Sequence, residues 1–78
     1  MPTVLRIGPY RCFFYAGDRA EPPHVHVERE RSEAKFWLDP VRFERSHGFG
    51  RAELRRIQRL VQEHREQLLR SWDEYFHD

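Results

Sequence analysis

Residues 51–75, RAELRRIQRLVQEHREQLLRSWDEY, carry the clearest structural signal in the chain, because their apolar side chains recur at spacings of three and four. That spacing places them along one face of an α-helix. Phe49 and Leu54 occupy the two positions of a hydrophobic staple around Gly50, which indicates where the helix begins. We therefore predict one continuous amphipathic helix that buries Leu54, Ile57, Val61, Leu68 and Trp72.

The first half of the chain predicts β-strands that would pack against this helix. Aromatic and β-branched residues are frequent there, and the polar–apolar alternation of a half-exposed strand is clearest in His24-Val-His26-Val. A Gly8-Pro9 turn signal separates the first two segments. The predicted strands are residues 3–7, 10–16, 24–29 and 34–38.

The pair Asp39-Pro40 indicates a change of structure after the fourth strand. Asp is a favoured N-cap and Pro is favoured at the first helical position, so we expect a short helical turn over about residues 40–45, ended by Gly48. The predicted fold class is α+β: a small antiparallel sheet of two hairpins packed against one long C-terminal helix. With 78 residues, the chain is expected to form a single domain, residues 1–78.

Composition argues against a disulfide-stabilised secreted domain and against a membrane-spanning protein. A single cysteine, Cys12, forms no internal disulfide, and no apolar run approaches the length of a membrane span. The N-terminal residues do not resemble a signal peptide. We therefore expect a cytoplasmic protein that has no membrane contact. Charge is polarised, because residues 42–59 carry six arginines against two acids, whereas residues 60–78 carry two arginines against five acids.

His24 and His26 are the first candidates for chemistry, since they lie two residues apart on one face of a strand. As an acid–base pair they are the candidate catalytic residues, with Lys35 holding phosphate. They are also suitable metal ligands, but two ligands do not complete a site. A third ligand would come from Glu28, His64, His47 or Asp18. We expect no resident metal and no other cofactor; the remaining alternative is an ordinary, partly exposed polar strand face.

The arginines are the second candidate, as a surface for a nucleic acid or an acidic partner protein. Part of this region is equally consistent with a solvated helix face, since Arg59 and Glu63 form an ordinary i,i+4 pair. Trp37 shares a strand face with Lys35 and is either an exposed contact residue or part of the core. The candidate binding residues are Arg42, Arg45, Arg51, Arg55, Arg59 and Trp37.

Several segments resemble the bacterial family known as domain of unknown function 4160: MPTVLRIGPYR, EPPHVHVERE, AKFWLDPV and GFGRAELRRIQRLVQEHREQLLRSWDEYF. The resemblance covers nearly the whole chain. Members are often encoded beside another small protein, in pairs described as toxin–antitoxin modules. The resemblance implies that this chain is the toxin-like member, and it carries over no catalytic residue.

The function expected from the sequence is therefore that of a small toxin-like protein that acts through an antitoxin-like partner encoded nearby, and on RNA. The alternatives are a non-enzymatic binding module that uses the basic helix start, and a metal-binding domain that uses His24 and His26. We also expect a homodimer or a hetero-complex. Its apolar contact would come from exposed aromatic side chains of residues 10–15 or 36–37.

Overall fold

The computed structural model describes residues 3–77, which form one antiparallel sheet and one layer of helices. The five strands follow each other across the sheet in chain order. A 3₁₀ helix, Ala16–Ala20, interrupts the chain between the second and third strands. The strands are β1 Thr3–Ile7, β2 Tyr10–Phe13, β3 His24–Arg29, β4 Ser32–Leu38 and β5 Val41–His47, and the helices are α1 Arg51–Glu63 and α2 Arg65–Tyr75.

The fifth strand corrects the helical turn expected over residues 40–45. Asp39 and Pro40 form a two-residue turn, and β5 then runs antiparallel to β4. Val41 lies opposite Leu38 and Phe43 opposite Phe36, so the new strand extends the apolar face of the sheet. The sheet is therefore a five-stranded meander rather than two hairpins.

The helical region is divided at His64, where the sequence predicted a continuous helix. Nδ1–H of His64 donates to the carbonyl of Leu60 at 2.8 Å, and the backbone N–H of His64 is shared between the carbonyls of Leu60 and Val61. In a regular α-helix each backbone N–H bonds to one carbonyl, so the shared N–H and the ring hydrogen bond mark an irregular turn. After the break, α2 contacts β1 and β4, whereas α1 contacts β4 and β5. The helix layer thus spans the sheet from one edge to the other.

The core lies between the helices and one face of the sheet. Ile57, Val61, Leu68 and Trp72 are buried as predicted, whereas Leu54 is only half-buried. Val25, Val27, Ala34 and Phe36 are among the buried strand residues that face them. No helix within residues 3–77 is long and apolar enough to cross a membrane.

Candidate functional site

The opposite face of the sheet, which we call the outer face, carries the polar strand residues. Cross-strand register places His24 opposite Trp37, and His26 opposite both Lys35 and Phe13. Cross-strand partners point to the same side of a sheet. Phe13, His26, Lys35 and Trp37 therefore lie away from the helix layer. His24, at the start of β3, points to the same side but also contacts Trp72 of α2, with 5.2 Å between ring centroids. The structure brings together the three catalytic candidates His24, His26 and Lys35.

These polar residues are buried, which corrects the expectation of a partly exposed face. His24 is 0% exposed, His26 2% and Lys35 6%. They are covered by residues 15–23, which we call the cover segment; it includes the 3₁₀ helix and places Asp18 and Glu21 over the sheet.

Asp18 is the centre of the cluster. Its carboxylate lies between the two imidazoles: Oδ1 is 3.1 Å from Nε2 of His24, and Oδ2 is 3.0 Å from Nε2 of His26. It also accepts the backbone N–H of Tyr15 at 2.8 Å. Burial raises the pKa of the Asp18 carboxyl, but the Tyr15 N–H and the two histidines outweigh this, so the pKa lies below its usual value.

The Nδ1 atom of each histidine faces a different group. Nδ1–H of His24 donates to the carbonyl of Pro22 at 2.9 Å. Nδ1 of His26 lies 3.4 Å from Oε2 of Glu33, and the His26 ring is stacked on Phe13 with 5.5 Å between ring centroids. Burial lowers the pKa of His26 below its usual value, although the charges of Asp18 and Glu33 oppose the change.

Lys35 is engaged within the cluster rather than open to a phosphate. Its Nζ donates to Oε1 of Glu21 at 2.6 Å and lies 4.6 Å from the centroid of the Trp37 ring. Trp37 is half-buried on the outer face, and its indole N–H donates to Glu44 at 2.9 Å. Trp37 therefore belongs to the surroundings of the cluster and not to the helix-side core.

Asp18, His24 and His26 offer one ligand atom each, all within 4.8 Å of one another. The sequence named Asp18 as one of several possible third ligands, and in the structure its carboxylate lies beside both histidines. Glu28 is instead paired with Arg11 at 2.8 Å, and the Nδ1–H of His64 donates to Leu60. Two histidines and one carboxylate can bind a divalent transition metal.

The arginine group is divided between two surfaces. Arg42 lies opposite Trp37 and Arg45 opposite Lys35, which places both on the outer face, whereas Arg51, Arg55 and Arg59 lie on α1 in the helix layer. All five are exposed and have no acidic partner among the residues that the structure describes.

Exposed aromatic residues are fewer than expected for the predicted partner contact. Phe13, Phe14 and Phe36 are buried; among the described residues the large exposed apolar side chains are Tyr15 and Phe43. Cys12 is also buried, which raises the pKa of its thiol to about 12 and removes it as a nucleophile or metal ligand.

The fold and the cluster define a class of protein: an α+β domain whose helices cover one face of a sheet, while a polar segment closes a histidine–carboxylate cluster on the other. The chain belongs to the family described as domain of unknown function (DUF4160), whose model matches residues 10–73. That match includes Asp18, His24 and His26 as well as both helices up to residue 73. No curated protein and no solved structure matches the chain significantly.

Acidification is expected to destabilise the metal-free protein. The unfolded His26 takes up a proton near pH 6.5, whereas the folded residue, with its lowered pKa, does not. The free energy of unfolding is therefore highest above about pH 6.5. Below that pH it falls by up to about 1.4 kcal/mol per pH unit, because the unfolded chain takes up one proton more than the folded chain. Asp18, whose folded pKa is also lowered, adds a further loss at lower pH.

Urea unfolding in EDTA at pH 7.5, 6.5 and 5.5 measures this slope. His26→Asn should flatten it, whereas His47→Asn, which changes an exposed residue outside the cluster, should leave it unchanged. Equal midpoints for the wild type at pH 7.5 and 5.5 would contradict the assignment of His26 as a buried neutral side chain.

Proposed function

We propose that this protein is a metal-binding domain whose site consists of Asp18, His24 and His26, and that its ligand is a divalent transition metal of the zinc type. The observation that carries the proposal is Nε2 of His24. This atom is buried, has no hydrogen-bond partner among the described residues, and faces the carboxylate of Asp18 at 3.1 Å.

The hydrogen bond at the other side of the His24 ring makes this contact unusual. Nδ1 uses its proton on the carbonyl of Pro22, so in a neutral ring Nε2 presents a lone pair. A lone pair facing a carboxylate oxygen is unfavourable, because both atoms are acceptors. The contact becomes favourable when a positive charge lies between them, either as a second proton on His24 or as a metal ion.

The groups behind the ligands favour the metal. A histidine ligand usually donates its second ring N–H to a backbone carbonyl or a carboxylate, which fixes the ring and strengthens the ligand. His24 has the Pro22 carbonyl in this position. Oε2 of Glu33 lies 3.4 Å from Nδ1 of His26, but the two atoms form no hydrogen bond. His24 can therefore direct Nε2 toward Asp18 while its Nδ1 retains an acceptor, and a carboxylate lies close to Nδ1 of His26.

Charge balance supports a divalent cation. The histidines are in contact with three carboxylates, those of Asp18, Glu21 and Glu33, and Glu21 binds the ammonium of Lys35. With neutral histidines the cluster carries two net negative charges, which one divalent ion neutralises. Imidazole nitrogens favour zinc, iron, nickel or copper over magnesium or calcium. Three protein ligands leave a fourth position for water.

Metal analysis tests this proposal. The untagged protein, reconstituted with zinc and dialysed, is expected to retain about one zinc per chain. Asp18→Asn and His24→Asn should weaken zinc binding by at least about 100-fold, because even the loss of an outer partner costs about 10–100-fold. His47→Asn is the matched control and should bind zinc like the wild type. Failure of the wild type to bind zinc in a competition titration would overturn the proposal.

Acid–base cleavage of RNA by His24, His26 and Lys35 stays a prediction with less support. The three side chains are close together, as such a reaction requires. However, both imidazoles are buried and Lys35 is paired with Glu21, so a phosphate has no access while the cover segment is closed.

The toxin-like role and the nearby antitoxin-like partner rest on the family resemblance. The exposed arginines of α1 support an acidic partner protein, since they lack acidic partners among the described residues. The product of the adjacent gene is expected to co-purify with this chain at low salt and to associate more slowly as salt rises.

A charge-matched pair of variants tests that interaction. The triple change of Arg51, Arg55 and Arg59 to Gln should slow association about tenfold or more. The same change at the exposed residues Arg6, Arg31 and Arg70 removes equal charge from other surfaces and should have a smaller effect. Equal effects of both triple variants would exclude α1 as the contact.

A further inference from the structure

The cover segment has only limited apolar contact with the sheet: the ring of Tyr15 packs edge-on against Phe13 with 5.1 Å between centroids, and Pro23 is half-buried. The 3₁₀ helix Ala16–Ala20 has no buried residue, and the flanking Glu21 and Pro22 are exposed. A segment that buries little apolar surface gains little from the hydrophobic effect and belongs to the parts of a protein that open most readily. Its closed position therefore depends largely on polar contacts.

Three residues of the segment contact the cluster through their side chains, and the Leu38 N–H donates to the Pro23 carbonyl at 3.0 Å. Asp18 meets both histidines, Glu21 binds Lys35 at 2.6 Å, and the ring of Tyr15 lies edge-on to His26 with 4.6 Å between centroids. Glu21 and Tyr15 are exposed, so water competes for their contacts. Asp18 is the most enclosed of the three, so its contacts with the histidines are the least weakened by water.

The same carboxylate is a ligand in the proposed metal site. His24 and His26 belong to strand β3, whereas Asp18 belongs to the cover segment, so a metal bound to all three connects the segment to the sheet. Without the ion, Asp18 faces the Nε2 atom of His24 that has no hydrogen-bond partner among residues 3–77. The cluster then also retains its excess of negative charge.

We propose that the metal latches the cover segment closed, and that loss of the metal releases the segment from the outer face. The inference rests on the proposed metal site and adds its regulatory consequence. Release exposes His24, His26 and Lys35, the groups with acid–base and phosphate-binding chemistry. Metal occupancy therefore controls access to the outer face of the sheet.

Trypsin provides a direct measurement, because Arg19 lies within the cover segment. Arg31, in the exposed turn between β3 and β4, is an internal reference at a site with no part in the latch. Proteolysis follows the population of the open form when opening is fast relative to cleavage. Replacing zinc with EDTA is expected to accelerate cleavage after Arg19 by about tenfold or more, relative to cleavage after Arg31.

Two variants distinguish the latch from a general loss of stability. Asp18→Asn should be cleaved rapidly after Arg19 with zinc and with EDTA alike. Glu21→Gln retains all three ligands, so zinc should still protect Arg19, although less completely than in the wild type. A general loss of stability accelerates cleavage after both arginines, so an unchanged ratio of Arg19 to Arg31 cleavage on removal of zinc would overturn the latch.

Different experimental outcomes would overturn the latch and the metal site. If the wild type binds zinc in the competition titration but is cleaved after Arg19 at the same rate with zinc and EDTA, the latch is overturned and the metal site stands. If the wild type binds no zinc, the metal site itself is overturned, and the latch with it. Zinc binding together with selective protection of Arg19 supports both.

Discussion

Replacing Trp72 with alanine is expected to lower the free energy of unfolding by about 3–5 kcal/mol, as other large-to-small core substitutions do. Trp72 is 7% exposed and contacts Phe14, Phe76 and His24, with ring centroids 5.2, 4.4 and 5.2 Å away. It therefore joins α2 to the end of β2 and to the start of β3. A small domain has about 5–10 kcal/mol of stability, so the variant should be close to unfolded.

Thermal and urea unfolding measure this loss. Phe43→Ala is a matched control, because it also removes an aromatic ring but from a position that is 45% exposed on the edge strand β5. The control should lose less than about 1 kcal/mol. Unchanged melting of Trp72→Ala would contradict the assignment of Trp72 to the core.

Saturating zinc is expected to raise the melting temperature of the metal-free protein by about 15–30 °C. A ligand at about 1,000 times its dissociation constant stabilises the folded state by about 4 kcal/mol. In a domain of this size, 1 kcal/mol corresponds to about 4–8 °C. The effect arises because the unfolded chain does not hold Asp18, His24 and His26 together.

Scanning calorimetry at fixed pH with zinc and with EDTA measures this shift. The His24→Asn variant should show little or no rise, whereas His64→Asn should retain it, because His64 bonds to Leu60 in the helix layer and not to the cluster. An equal rise in the wild type and His24→Asn would indicate non-specific zinc binding and would contradict the site.

Elements with local signals could be predicted from the sequence alone. The spacing of Ile57, Val61, Leu68 and Trp72 indicates one buried helical face, and all four are buried in the structure. The alternation around His24 and His26 likewise indicates a strand with both imidazoles on one side. These predictions succeed because the directions of side chains within one element depend only on the period of that element.

Two features of the fold could not be predicted from local sequence signals alone. Asp39-Pro40 is compatible with both a helix start and a tight turn. The structure has the tight turn, because Val41 and Phe43 pair with β4. At His64 the sequence contains neither Gly nor Pro to predict the break. There the ring of His64 bonds to Leu60, and after the break α2 contacts β1.

In the candidate site, too, some features could be predicted from the sequence and others depend on the tertiary structure. The sequence supplied the two histidines and included Asp18 among four possible third ligands, but it did not predict that both imidazoles are buried. Only the tertiary structure places the helices on one face of the sheet and the cover segment on the other, which brings Asp18 within 3.1 Å of His24. The physical reason is that burial depends on what packs against a surface, and that packing is set by the whole fold.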